Sequence, residues 1–131
     1  ANVVLASKAE AMDRAGITVD FAVSLAKELP IADTDLAALL GNALDNAMEG
    51  VESAAEKEIT LRCKVDKGLL MLRVENPVGG LLNADLATTK ADKSAHGFGI
   101  PGMREIAERY HGTLDVDVKN GRFILLICLV I

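Results

Sequence analysis

The sequence predicts an α+β fold: a two-layer sandwich in which a mixed, mostly antiparallel sheet is covered by three helices. Three observations predict it. Apolar residues recur at helical spacing in three segments and alternate in most of the rest. Two tight-turn signals, Asp66-Lys67-Gly68 and Asn120-Gly121, join strands into hairpins. The resulting order, α-β-α-β-β-loop-α-β-β, sets adjacent strands beside one another and leaves the helices to cover them. With 131 residues the chain supports a single domain, 1–131, with its own core.

Residues 2–15 read as a helix in which Leu5, Lys8, Ala9, Met12 and Ala15 share a face, ended by Gly16. Ile17 to Val23 alternates, with Ile17, Val19, Phe21 and Val23 on one side, as in a half-buried strand. Pro30 and Asp33 punctuate the chain, and Asp33 or Thr34 is suited to cap the helix that follows. That helix, about Asp35 to Val51, has the clearest period: Leu36, Leu39, Leu40, Ala43, Leu44, Ala47, Met48 and Val51 form a core-facing stripe. Ile59, Leu61, Cys63 and Val65 alternate as a strand, and Leu69 to Asn76 returns as its partner. Residues 81–96 lack a period and are too long for a mere connector. A helix from about Pro101 to His111 carries Pro in its first turn and Gly112 past its end. Leu114, Val116 and Val118 mark a strand. The last strand, Arg122 to Ile131, is apolar on both faces at its centre and belongs inside the sheet.

Composition excludes several functions. Half the residues are hydrophobic and 25% charged, the balance of a globular protein. A formal net charge of −5 argues against a nucleic-acid backbone or an anionic membrane surface as main partner. Three Phe, one Tyr and no Trp leave no platform for stacking bases. Cys63 and Cys128 form neither a disulfide framework nor a zinc site, which fits a reducing cytosol. The longest apolar run, Phe123 to Ile131, falls far short of the roughly 20 residues that span a bilayer.

Three features carry chemistry. Asn42, Asp45, Asn46 and Glu49 make a polar stripe beside the apolar one on the second helix. The stripe contains no cation, and Asn, Asp and the neighbouring Gly41 are poor helix formers. It reads either as a solvated face or as oxygen ligands for a hard cation, with nucleotide-borne Mg²⁺ the natural candidate. Next, His96-Gly97-Phe98-Gly99-Ile100-Pro101-Gly102 leads into the third helix. Glycines permit close backbone approach, and a helix start attracts phosphate. Thr88, Thr89, Lys90, Lys93 and Ser94 stand just upstream as donors for the same anion. A plain tight turn is the other reading, while the polar segment before the glycines excludes a dinucleotide-binding strand–turn–helix. Finally, Asn76 ends the inward row Leu70, Leu72, Val74 and can both donate to and accept from a purine edge. It also reads as a turn residue before Pro77.

Together the segments resemble a known family. LLGNALDNAMEG resembles the N-box of the GHKL, or Bergerat, ATP-binding fold shared by gyrase, heat-shock chaperone, mismatch-repair ATPases and histidine kinases. VENPVGG sits where the first glycine box belongs, and TTKADKSAHGFGIPGMREIAERYHG resembles the ATP lid and second glycine box of sensor histidine kinases. LDNAMEG and the absent Asp-x-Gly-x-Gly look most like the peptide-sensing, quorum-type subclass. The resemblance implies a protein-histidine kinase catalytic domain that binds ATP and Mg²⁺. It implies Asn46 as the Mg²⁺ ligand, Asn42 beside the phosphates with Asp45 on the same stripe, and Asn76 in place of the adenine-reading Asp. It implies Gly80 in the first glycine box, Gly97, Phe98 and Gly99 in the second, and Thr89, Lys90 and Lys93 in a lid over 81–96. A Glu precedes the Mg²⁺ Asn by one turn in hydrolysing members; Asn42 stands there instead and cannot act as a base. That favours phosphoryl transfer over ATP hydrolysis. His96 and His111 are not in acceptor-like helical contexts, so the phosphoacceptor is expected on a separate upstream dimerisation domain, with residues 1–15 as the junction. A response regulator as partner and a place at the cytosolic end of a membrane-anchored sensor follow from the same resemblance. The altered box, Asn76 for Asp and Val78 for Gly, leaves open a module of this fold that acts through protein contacts with weak or no nucleotide binding.

Overall fold

A computed structural model describes residues 2–26, 28–78 and 99–131. The element order is α1 (Asn2–Arg14), β1 (Thr18–Ser24), α2 (Asp33–Val51), β2 (Glu58–Asp66), β3 (Leu69–Pro77), α3 (Ile100–Arg109), β4 (Thr113–Lys119) and β5 (Arg122–Val130). The strands form one sheet in the order β1-β2-β3-β5-β4. β1 runs parallel to β2, joined through α2, and every other pair is antiparallel. The α+β sandwich with a mixed sheet and, among the described residues, three helices is the architecture the sequence predicts.

Both hairpins form where the turn residues require. Asn120 and Gly121 have φ of 54° and 74°, and Lys67 and Gly68 have 50° and 78°, the left-handed pairs that match strand twist. Both flanking helices end in a crossed pair of backbone bonds. Ile17 N–H reaches Met12 C=O at 2.8 Å around Gly16, whose φ is +75°. Gly112 N–H reaches Ala107 C=O at 2.8 Å, but the left-handed residue there is His111, not Gly112. Gly112 serves a different purpose: a Cβ on it would lie 1.9 Å from the Cys128 carbonyl oxygen, so only glycine lets α3 pass into β4 against β5.

The start of α2 differs from expectation. Ala32, not Asp33 or Thr34, is the N-cap, and no side chain caps it. The Ala32 N–H is taken by Tyr110 Oη at 3.1 Å, so a contact from the end of α3 holds the first turn.

One face of the sheet meets the helices. Leu39, Leu40, Ala43, Leu44 and Ala47 of α2 are fully buried against Ile59, Leu61, Leu70, Leu72, Leu125, Ile127 and Leu129. Met48, on the expected stripe, is only half-buried. β5 lies between β3 and β4, inside the sheet as its composition implies. Its second face, Ile124, Leu126 and Cys128, is half-buried on the side away from the helices. Cys63 and Cys128 point to opposite faces and are both free. No helix among the described residues is long and apolar enough to cross a membrane.

Candidate functional site

The polar stripe of α2 divides once the chain is folded. Asn46 turns toward the core and is 3% exposed. Asn42 is half-buried, while Asp45 and Glu49 are exposed. Asp45 Oδ1 accepts from Lys8 Nζ at 2.6 Å, a cation that α1 supplies from outside the stripe. α1 also lies against Gly41, where a Cβ would come 3.6 Å from Val4 Cγ1. Asp45 thus anchors α1, and the two asparagines look the other way.

Asn42 faces a cavity of about 480 Å³ between α2 and α3, lined by Ala38, Asn42, Gly102, Glu105, Ile106 and Arg109. Its far end is tied shut. Arg109 Nη1 donates to Asp35 Oδ1 at 3.0 Å. Tyr110 Oη donates to Asp35 Oδ2 at 2.6 Å. The carboxylate that accepts this bond holds the Tyr110 phenol above its ordinary pKa. None of Asp35, Glu105, Arg109 and Tyr110 stood out in the sequence. Gly102, Glu105 and Arg109 at i, i+3, i+7 along α3 were the available signal.

Asn76 closes β3, opposite Phe123 of β5, on the helix-covered face. It is 1% exposed. Its Nδ2 donates to the Pro77 carbonyl at 3.0 Å. Its Oδ1 is buried and has no hydrogen-bond partner among the described residues. A buried acceptor left this way costs about 1–3 kcal/mol, and it suits a donor such as an exocyclic amino group. Gly99 is the N-cap of α3, with Pro101 in the first turn and no side chain capping the helix start. Gly80, Thr89, Lys90, Lys93, Gly97 and Phe98 lie outside the described residues. No group of three or more acidic, His or Cys side chains gathers for a metal among the described residues. A nucleotide-borne Mg²⁺ does not need one, because it keeps waters and phosphate oxygens and asks little of the protein.

Comparison with known proteins follows the same outline. The chain superposes over 98% of its length on the Acinetobacter baumannii histidine kinase AdeS, with a TM-score of 0.70 and 16% identity, and spans 61% of that chain. It superposes equally on the catalytic domain of the histidine kinase ThkA in a nucleotide-free form, at TM-score 0.70 and 15% identity, covering 98% of this chain and 89% of that one. At such identity the likeness is one of fold. No curated protein matches the sequence. A family profile described as the GHKL domain matches residues 31–130, from the approach to α2 through β5. The chain therefore belongs to the GHKL domain family.

Proposed function

We propose that this domain is the ATP-binding catalytic domain of a sensor histidine kinase of the quorum-type subclass. It would pass the γ-phosphoryl of Mg²⁺–ATP to a histidine on a separate dimerisation domain, from which a response regulator takes it. The observation that carries the reading is the buried Oδ1 of Asn76, unsatisfied among the described residues. An adenine amino group would satisfy it, whereas a domain that only met other proteins would keep the cost without a return.

The chain's residues divide the work. Asn76 Oδ1 would accept from the base, its Nδ2 being held by Pro77. Asn42, on the wall of the cavity between α2 and α3, would face the phosphates. Asn46 would hold the cation through its amide oxygen. Bound Mg²⁺ neutralises phosphate charge, and phosphoryl transfer draws its rate mainly from such neutralisation and from positioning. Asn42 supplies no base for water, which supports transfer over hydrolysis. The start of α3, with Gly97, Phe98 and Gly99 before it, would take a phosphate on its N–H groups. Thr89, Lys90 and Lys93, within a lid over 81–96, would add cation and hydroxyl donors, and Gly80 would border the base. Residues 1–15 would join the domain to the dimerisation helices of a membrane-anchored sensor.

Calorimetric titration of a non-hydrolysable ATP analogue, with and without Mg²⁺, tests this reading. Mg²⁺-dependent binding is expected, weakened roughly tenfold or more by Asn46→Ala, about the loss of one charge-assisted contact. Labelled phosphate should then move to an acceptor domain supplied in trans. No heat at millimolar analogue, with an unchanged melting temperature, would overturn it.

A further inference from the structure

Two poor helix formers, Gly41 and Asp45, sit one turn apart in the middle of α2. Both meet α1. A Cβ on Gly41 would lie 3.6 Å from Val4 Cγ1 and 4.0 Å from Lys8 Cε. Asp45 Oδ1 accepts from Lys8 Nζ at 2.6 Å. Val4 and Lys8 are themselves one turn apart, so one row of α1 bears on one row of α2. Covering the sheet does not require this contact. Met12, fully buried, and Leu5 lie on another side of α1 and already pack on the core. Arg14 pairs inside α1, with Glu10 at 2.8 Å, and so leaves the ionic tie to Lys8.

Gly41 and Asp45 stand directly before the two asparagines of the candidate site, Asn42 and Asn46. Successive residues lie about 100° apart around a helix. The row that meets α1 and the row that carries the two amides are therefore adjacent flanks of α2. α3 lies toward the amide flank, where Asn42 shares a cavity wall with Gly102 and Ile106. α2 is thus held twice. Asp35, near its start, is fastened to α3 by Arg109 and Tyr110. Its middle is held by α1 at positions 41 and 45.

Over two turns a helix moves as a rigid body, so a contact that fixes its roll at 41 and 45 fixes it at 42 and 46. An amide oxygen about 5 Å from the axis moves about 1 Å for a roll of about 10°. Mg²⁺ demands ligands at about 2.0–2.1 Å in near-octahedral array, and a shift of that size takes a ligand out of reach.

We propose that Lys8 and Asp45 are positioning residues: their ion pair, with Val4 against Gly41, sets the roll of α2 and so aims the side-chain amides of Asn42 and Asn46. The proposal rests on the nucleotide reading for what the amides hold, and adds what holds the amides. It gives Asp45, a member of the same polar stripe, to α1 and not to the nucleotide. The Lys8 and Asp45 side chains are 28% and 56% exposed. A pair exposed to this degree accounts for up to about fivefold in affinity.

Two measurements on the whole 131-residue chain test it. The first follows the Asn42 and Asn46 side-chain amide signals by NMR without nucleotide. Lys8→Ala, a change outside α2, should move both signals, and Lys8→Arg, which keeps the charge, should leave them near wild type. Both amides look away from α1, so their movement reports a roll of α2 and not the lost proximity of Lys8. Gly41→Leu is a better helix former, but its side chain runs into Val4, and it should move the signals further. The second titrates the non-hydrolysable ATP analogue with and without Mg²⁺. Lys8→Ala should cut the gain in affinity that Mg²⁺ brings, by up to about fivefold. Lys8→Arg should restore it, and the melting temperature should stay within a few degrees. A general loss of stability would weaken both titrations together and leave their ratio unchanged. The Lys8 variants decide the matter if Gly41→Leu fails to fold. Amide signals and Mg²⁺ gain that are unchanged in Lys8→Ala would overturn the proposal. Amide signals that move with Lys8→Ala in a chain whose wild type binds no analogue would uphold the positioning and sink the nucleotide reading.

Discussion

Asn76 carries an amide with two functions, of which the described chain satisfies one. Removing a buried acceptor that has no partner can be nearly neutral for stability, because the desolvation cost leaves with it. Asn76→Leu should therefore keep the melting temperature within a few degrees of wild type, or raise it. The same change should abolish analogue binding in calorimetry. A large loss of stability would mean that the amide is structural. The two thiols differ in the same way. Burial alone pushes the Cys63 thiol up to about 11, while Cys128 is raised by partial burial and then by Asp115. The inward turn of Asn76 was legible in the alternation from Leu70, since period 2 fixes the face. The fate of Asp45 was not, because the partner that claims it sits 37 residues away on a helix whose packing no local pattern encodes.

Among the elements, α2 and α3 are fastened by Tyr110 and Arg109 converging on Asp35, so the cavity between them depends on this latch. Tyr110→Phe should cost about 1.5 kcal/mol, the lower end of the range for a hydrogen bond to a charged group, because the pair is only part-buried. Its sign with pH can be worked out. The phenol's pKa is raised in the folded protein by its bond to the Asp35 carboxylate. Its contribution is complete below the unfolded value of about 10, and it is lost as pH rises through the raised value. Melting curves from pH 8 to 11 should show wild type converging on Tyr110→Phe at the alkaline end. Divergence there would contradict the assignment. The periods of α2 and β2 to β5 were readable because their apolar rows are long and unbroken. The helix ends were read less well. Ala32 rather than Asp33 begins α2 because Tyr110 secures it, and His111 rather than Gly112 turns left-handed because Gly112 is committed to the Cys128 carbonyl.

For the molecule as a whole, strand order ranks local stability. β3 and β5 are central, each paired on both sides, and β1 and β4 are edges. Amide hydrogen exchange should be slowest in Leu70–Val74 and Leu125–Leu129 and faster in β1, as opening free energies follow burial and pairing. Slowest exchange in β1 would contradict this order. The α+β class with a mixed sheet was legible from hairpin signals and helix count, but which two strands run parallel was not, because that rests on where a crossover sets an edge strand down. That pairing also has a temporal side. β1 is made early, yet its register partner lies 40 positions later, Thr18 against Glu58, with all of α2 between them. Every other strand finds its neighbour through a turn of two residues or, for β3 and β5, a more distant antiparallel partner. A chain emerging from the ribosome must hold α1 and β1 unpaired until β2 has appeared, and closing that loop is entropically slow. α1 and β1 are thus translated before the strand they pair with and docked late, and β1 waits until then as an unsheltered, half-apolar strand.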